Sequence, residues 1–80
     1  MMKDKVKLVF QGTNLRNLSG ESNKFWEGWT HGTNFVAHWG AIGTDGQIRT
    51  WSFKSTFEAV ARLREKVNEK LGKGYQLIQA

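Results

Sequence analysis

The sequence predicts an α+β fold in which a small antiparallel β-sheet of about four strands packs against one long amphipathic α-helix. Two observations predict this class. Up to Phe53, short stretches rich in β-branched and aromatic residues are separated by turn-forming residues, which is typical of antiparallel strands. Beyond Ser55 the apolar residues recur every three or four positions, as in a helix with one buried face. Because the chain has no proline and no repetitive tract, we expect residues 1–80 to form one domain.

The first strand is predicted at residues 5–10, where Val6, Leu8 and Phe10 alternate with polar residues. Residues 11–23 are polar and turn-forming, and they predict a long loop. Three further strands, expected to pair as a meander, are predicted at residues 24–30, 35–42 and 48–53. The sequence does not decide at which edge the first strand joins them, nor whether residues 75–78 form a last short strand or an ordered tail.

The pair Asp45-Gly46 predicts a two-residue turn between the last two strands of the meander, because both central residues of the preferred tight turn need a positive φ. In that register Gly40 lies opposite Trp51 and leaves room for its indole. Trp39 then points away from the buried face. A shift of one residue reverses this and buries Trp39, so both orientations remain open.

Ser55 and Glu58 have the spacing of a capping box and predict that a helix begins here and continues through Leu71. Gly72 or Gly74 is expected to end it. One apolar stripe is expected to face the sheet, formed by Phe57, Val60, Leu63, Val67 and Leu71.

Composition narrows the functional classes. The net charge is +5 and the isoelectric point about 9.9, which favours an acidic partner, nucleic acid first, although such a charge also simply keeps a small domain soluble. The absence of cysteine excludes disulfides and cysteine-based zinc sites, and it fits a cytoplasmic location. No apolar run is long enough to span a membrane.

Neither an enzyme nor a cofactor-binding protein is predicted. The spacing of Gly40, Gly43 and Gly46 matches neither a dinucleotide fingerprint nor a Walker loop, and a strand follows where a helix would be required. His31 and His38 have no cysteine or acidic cluster beside them to complete a metal site. No nucleophile motif is recognisable, so we expect no catalytic residue, metal or cofactor.

The segments NKFWEGW, HWGAIGTDGQIRTW and EKLGKGY together resemble the WGR domain, a module named for a central Trp-Gly-Arg. The resemblance is good over residues 23–75. It implies the fold predicted above and a bacterial-type, stand-alone member of a family otherwise known from DNA-damage-dependent poly(ADP-ribose) polymerases. In those polymerases the domain grips a DNA end or nick.

The resemblance also implies a binding site. By position, Trp39 is the residue that stacks on a terminal nucleotide, Asn23 and Lys24 hold a phosphate, and Lys70 is a further backbone contact. Arg49 and Lys66 are expected as peripheral contacts. An aromatic face accepts any base and cations give affinity independent of sequence, so the chemistry is consistent with binding of DNA ends or nicks by a monomer.

One departure opens an alternative. The family's arginine is replaced by Ala41, its frequent arginine before the tryptophan is His38, and residues 28–44 carry no formal charge. The change either removes only the link to a catalytic domain or weakens DNA binding itself. The alternative function is therefore a protein-interaction module that docks through an exposed aromatic strand.

Two interpretations are open for the cations along the helix, and one is expected for each of the other groups. A basic stripe along the helix is either a phosphate-binding ridge or an ordinary solvated face, and its members are Arg62, Lys66, Lys70 and Lys73. Trp26, Trp29 and Trp51 are expected to pack in the interior. Lys3, Lys5 and Lys7 are expected to protect an edge strand from wrong pairing.

Overall fold

The structure, a computed structural model, describes residues 5–11 and 23–79. Its elements are β1 (Val6–Phe10), β2 (Lys24–His31), β3 (Asn34–Ala41), β4 (Gln47–Ser52), α1 (Thr56–Gly72) and β5 (Gln76–Gln79). The strands form one open antiparallel sheet in the order β4-β3-β2-β1-β5, and α1 packs on one face. The predicted fold class is confirmed, with a fifth strand where the sequence left a strand or a tail open. Most of the predicted loop at 11–23 lies outside the described residues.

The core lies between α1 and the middle of the sheet. Strand pairing places Leu8 opposite Trp26, and Trp26 opposite Trp39, so that these side chains share the face covered by α1. The buried residues on this face and on the helix form one cluster: Leu8, Trp26, Phe35, Ala37, Ala59 and Leu63. Gly28 lets the helix approach, because a Cβ at this position would meet the Trp26 ring and come within 2.8 Å of Leu63 Cδ1.

The predicted start of α1 is confirmed. Ser55 is the N-cap residue, and its hydroxyl accepts a hydrogen bond from the Glu58 N–H at 3.1 Å. The Glu58 carboxylate in turn accepts from the backbone N–H of Lys54 at 3.1 Å, one residue earlier than in the usual capping box. These bonds satisfy donors that a helix start otherwise leaves without partners.

The predicted apolar stripe of α1 is wrong at its two ends. Phe57 is 81% exposed and Leu71 is 41% exposed, whereas Ala59 and Leu63 are buried. At 100° per residue, Phe57 lies about 120° and Leu71 about 80° around the helix from Leu63. The inward side is therefore centred on Leu63, and this rotation turns Lys66 and Lys70 toward the sheet.

The predicted hairpin register is also wrong. Trp39 pairs with Gln47, and Trp51 pairs with Phe35 rather than with Gly40. The connection is longer than two residues because Ala41 to Thr44 form their own turn, closed by a hydrogen bond from the Thr44 N–H to the Ala41 carbonyl at 3.1 Å. The shift is an odd number of residues, so Trp39 shares the helix-facing side with Trp51.

Gly40 does not make room for the Trp51 indole, as the sequence predicted, but has another structural role. A Cβ at Gly40 would lie 2.7 Å from the Cα of Gly46, because the connection folds back over the end of β3. Gly46 has a φ of 72°, and a Cβ at this position would collide with the Trp39 carbonyl oxygen. The two glycines therefore let the turn pack on its own strand, and they make no room for Trp51.

β1 is not an edge strand, because it lies between β2 and β5. Lys5 and Lys7 point to the face away from α1, where their ammonium groups lie 3.4 and 3.5 Å from the buried carboxylate of Glu27. Their predicted role as edge protection is therefore wrong; they neutralise Glu27. Lys3 lies outside the described residues.

Candidate nucleic-acid interface

A cleft of about 230 Å³ opens between α1 and the β3–β4 side of the sheet. We call it the tryptophan cleft. Its lining residues are Trp26, Phe35, Ala37, Trp39, Arg49, Trp51, Lys66 and Lys70. The sequence-predicted residues Trp39, Arg49, Lys66 and Lys70 are thus brought together, although they come from two strands and the helix.

The strand wall of the cleft is aromatic with a cation on it. Trp51 stacks on Phe35 with ring centroids 5.2 Å apart and planes 17° from parallel. The guanidinium of Arg49 lies over the Trp51 ring, 5.5 Å from its centroid. Trp39 is half-buried beside them. An aromatic wall with a held guanidinium suits a flat, anionic ligand.

The helix wall supplies lysines from the inward side of α1. Lys70 lies about 20° and Lys66 about 60° around the helix from the buried Leu63. The side of a helix that faces a sheet usually carries apolar residues. Two half-buried lysines in that position, beside an open aromatic cleft, place positive charge where a ligand on Trp39 would lie.

The positive charge of Lys70 is disfavoured by its surroundings in the free domain. Burial lowers its pKa, and the positive charges of Lys73, Lys66 and Lys24 lower it further, against a partial offset from Glu69. Among the described residues, the ion pairs of the helix involve Arg62, Lys66 and Lys73 but not Lys70. An anion at Lys70 would relieve this repulsion.

Lys24 and Asn23 lie beside the tryptophan cleft rather than in it. Lys24 lines an adjoining cleft that shares Lys70, while Asn23 is exposed and its carbonyl accepts a hydrogen bond from Ile42 N–H at 3.1 Å. Lys24 is the cross-strand partner of Ala41, two residues beyond Trp39 on the same face. A cation therefore stands next to the position where the motif has its arginine.

His38 lies on the opposite face of the sheet from Trp39. Its Nδ1 is 3.2 Å from a Glu27 carboxylate oxygen and its Nε2 is 2.6 Å from the Asp45 carbonyl oxygen, so the ring donates both bonds when it is protonated. The bond to Asp45 and then the bond to Glu27 raise the pKa of His38 above 6.5. His38 therefore fastens the β3–β4 turn and does not reach the cleft.

The carboxylate that pairs with His38 stays ionised. Burial by itself raises the pKa of Glu27, but the hydrogen bond from His38 and the charges of Lys5 and Lys7 outweigh burial and hold this pKa below 4.5. The face away from α1 thus has its cations paired around Glu27. The cations at the tryptophan cleft are turned to the other face.

Sequence reasoning missed several residues that line the clefts. Trp51 was expected in the interior but is half-buried at the cleft, and Trp26 is both buried and part of the floor. Tyr75 and Phe10, which the sequence did not place at the site, line the adjoining cleft together with Lys73, a member of the predicted basic stripe. The spacing of Lys66, Lys70 and Lys73 was the available signal for the helix wall. Nothing in the pattern indicated that Tyr75 or Phe10 would be near it.

No helix among the described residues is long and apolar enough to cross a membrane.

Comparison with known proteins gives one family and one solved structure. The family model of the WGR domain matches residues 10–80. The chain is also similar to a protein from Bacteroides fragilis whose crystal structure is known, with 32% sequence identity, a TM-score of 0.78 and 92% of this chain covered. This chain spans 19% of that protein's length. No curated protein matches the chain. With nearly the whole chain matched by the family model, this protein belongs to the WGR domain family.

Proposed function

We propose that this WGR domain binds DNA at ends or breaks, with Trp39 stacking on a terminal nucleotide and lysines holding the adjacent phosphates. The family is a nucleic-acid-binding module rather than a catalytic one. The observation that carries the proposal is the tryptophan cleft, in which a half-buried indole lies between Arg49 on one wall and Lys66 and Lys70 on the other.

The arrangement answers the objection raised by the uncharged segment at residues 28–44. The cations around Trp39 come from β2, β4 and α1, which flank that segment, and they do not need a charge within it. In the proposed complex Lys24 and Lys70 contact phosphates, with Asn23 beside Lys24 and with Arg49 and Lys66 as peripheral contacts. Lys24 lies opposite Ala41 on the neighbouring strand, and this supports the proposal that its charge takes the place of the missing arginine.

The proposal is tested with a matched pair of tryptophan variants. Trp39→Leu removes the ring from the tryptophan cleft, whereas Trp29→Leu removes an equally half-buried ring from the opposite face of the sheet. Fluorescence anisotropy with a labelled duplex carrying a terminal phosphate is expected to show weaker binding only for Trp39→Leu, by about 1–3 kcal/mol per lost stack. Equal losses for the two variants would contradict stacking on Trp39.

The alternative function is docking of another protein on the sheet face away from α1. One observation favours it: Ile48, which is 64% exposed, and Ile42 lie on that face. The binding assay separates the two functions. If the wild-type domain shows no affinity for the duplex at low salt, DNA binding is rejected and the uncovered sheet face becomes the surface to test.

A further inference from the structure

A second cleft of about 300 Å³ adjoins the tryptophan cleft at Lys70, which lines both. We call it the tyrosine cleft, and its lining residues are Phe10, Lys24, Lys70, Lys73 and Tyr75. Lys70 lines both clefts, so they adjoin at its side chain, and we call the pair of clefts the groove. Each half of the groove has aromatic rings and at least two cations.

The end of the helix builds the tyrosine cleft. The backbone N–H of Tyr75 donates to the Lys70 carbonyl and that of Gly74 donates to the Leu71 carbonyl, both at 3.1 Å, which is the Schellman pattern. Gly74 allows this turn with a φ of 102°. The turn directs Tyr75 back to β1, where its ring lies 5.6 Å from that of Phe10.

The cleft also concentrates positive charge. Lys70 Nζ lies 5.2 Å from the centroid of the Tyr75 ring, and Lys24 is the cross-strand neighbour of Phe10. Lys73 is exposed and pairs with Glu69 at 3.6 Å on the outer surface. Among the described residues, three lysines and one exposed carboxylate surround the cleft, so it is positive. Burial first, and then the charge of Lys73 and of other lysines nearby, lowers the pKa of Lys70.

The aromatic residues of the two clefts start from well-separated positions on the sheet. Trp39 and Phe10 are separated by two strand spacings and one pleat repeat, which places their Cα atoms about 12 Å apart. Successive phosphates of one duplex strand advance by only about 3.4 Å along the axis. A blunt end, moreover, exposes the face of one terminal base pair. Successive bases of a single strand can each stack on an aromatic ring in a positively charged groove, so a second aromatic site suits a base beyond the paired region.

We propose that the groove holds a single-stranded extension at a DNA end, with one unpaired base at Trp39, another at Tyr75 and the intervening backbone at Lys70. This inference rests on the proposed function and adds to it the form of the DNA. The domain then prefers an end with an overhang to a blunt end. Phe10 supports the Tyr75 ring, and Lys73 contacts a phosphate of the extension.

The test compares three labelled duplexes by fluorescence anisotropy. The first is blunt, the second has the same paired region with an unpaired extension, and the third has that extension paired by a longer complementary strand. The wild-type domain is expected to bind the second at least fivefold more tightly than either blunt duplex, since one stacked base contributes at least about 1 kcal/mol. Equal affinity for the three would overturn the inference.

Variants assign the preference to the tyrosine cleft. Tyr75→Leu removes the ring, Tyr75→Phe keeps it as the matched control, and Lys73→Gln removes an exposed charge without touching the core. We expect Tyr75→Leu to abolish the preference for the extension, Lys73→Gln to reduce it and Tyr75→Phe to retain it, while all three variants keep the affinity for blunt duplexes. If Tyr75→Leu does not fold, Lys73→Gln still decides.

The outcomes separate the two proposals. Should Trp39→Leu weaken binding to every duplex while Tyr75→Leu and Lys73→Gln leave the ratios unchanged, the single-strand inference fails and the proposed function stands. Should the wild-type domain bind none of the three duplexes at low salt, the proposed function itself fails.

Discussion

Replacement of Lys70 by glutamine separates a binding lysine from a structural one. Lys70 lies in both clefts, and its pKa is lowered by burial and by the neighbouring cations. In the free domain its charge is opposed by its surroundings, so its loss removes repulsion. With DNA bound the same charge would be neutralised by phosphate. Lys70→Gln is therefore expected to weaken DNA binding without lowering stability.

The size of the effect follows from the number of cations along the groove. Among the described residues, five cations line the two clefts: Lys24, Arg49, Lys66, Lys70 and Lys73. Since each phosphate contact contributes about −0.9 to the slope of log K against log salt concentration, the wild-type slope should not be steeper than about −4.5. Lys70→Gln is expected to make it about 0.9 less steep. When the salt concentration rises from 50 to 200 mM, the affinity of Lys70→Gln for DNA should therefore fall about 3.5-fold less than that of the wild-type domain.

The assay is anisotropy at several salt concentrations, with chemical denaturation in parallel. Arg64→Gln is the matched control because Arg64 is an exposed cation of the same helix that lines neither cleft. We expect Arg64→Gln to leave the slope unchanged, and both variants to keep the free energy of unfolding within about 0.5 kcal/mol. The reasoning is refuted if the two variants change the slope equally, or if Lys70→Gln unfolds the domain while binding is unaffected.

Three further predictions concern single positions. The pKa of His38 is raised in the folded domain, so its stabilising contribution is complete below about pH 6.5 and is lost as the pH rises through the folded-state pKa. Denaturation measured across this range should show the loss of stability, and His38→Gln should abolish this pH dependence. Gly28→Ala forces a Cβ into the packed core and should lower the unfolding free energy by about 1–3 kcal/mol. Gly72 has open space around it, so Gly72→Ala should leave this free energy unchanged. Equal effects of the two variants would contradict the packing described. Ala41→Arg adds an exposed cation beside Lys24 and should tighten duplex binding and steepen the salt slope by about 0.9, with a reduced slope as the contradicting result.

Local patterns in the sequence determined the elements. Alternation of apolar residues predicts β1, the spacing of Ser55 and Glu58 predicts the start of α1, and a change to helical periodicity predicts its extent. These signals depend on residues close together in the chain, where sterics and hydrogen bonding act directly. The family resemblance rests on such local motifs too, and the match over residues 10–80 confirms it.

Tertiary contacts decided what the local patterns left open. The register of β3 on β4 depends on how the turn packs over Gly40 and Gly46, and a two-residue turn signal at Asp45 cannot report that contact. The rotation of α1 depends on the space beside Gly28, which accepts Leu63, whereas Phe57 stays in solvent. Apolar spacing alone does not distinguish helix faces that differ by a fraction of a turn.

The candidate site results from local sequence patterns and from tertiary contacts together. The resemblance of the sequence to the WGR domain implied Trp39, Lys70 and their neighbours as the binding residues, and local patterns in the sequence predicted the α+β fold that carries them. Only the tertiary structure brought Trp39, Arg49, Lys66 and Lys70 to one cleft and joined it to Tyr75 through Lys70. The physical reason is that residues far apart in the chain line the groove. How closely they approach is set by the packing of the helix on the sheet.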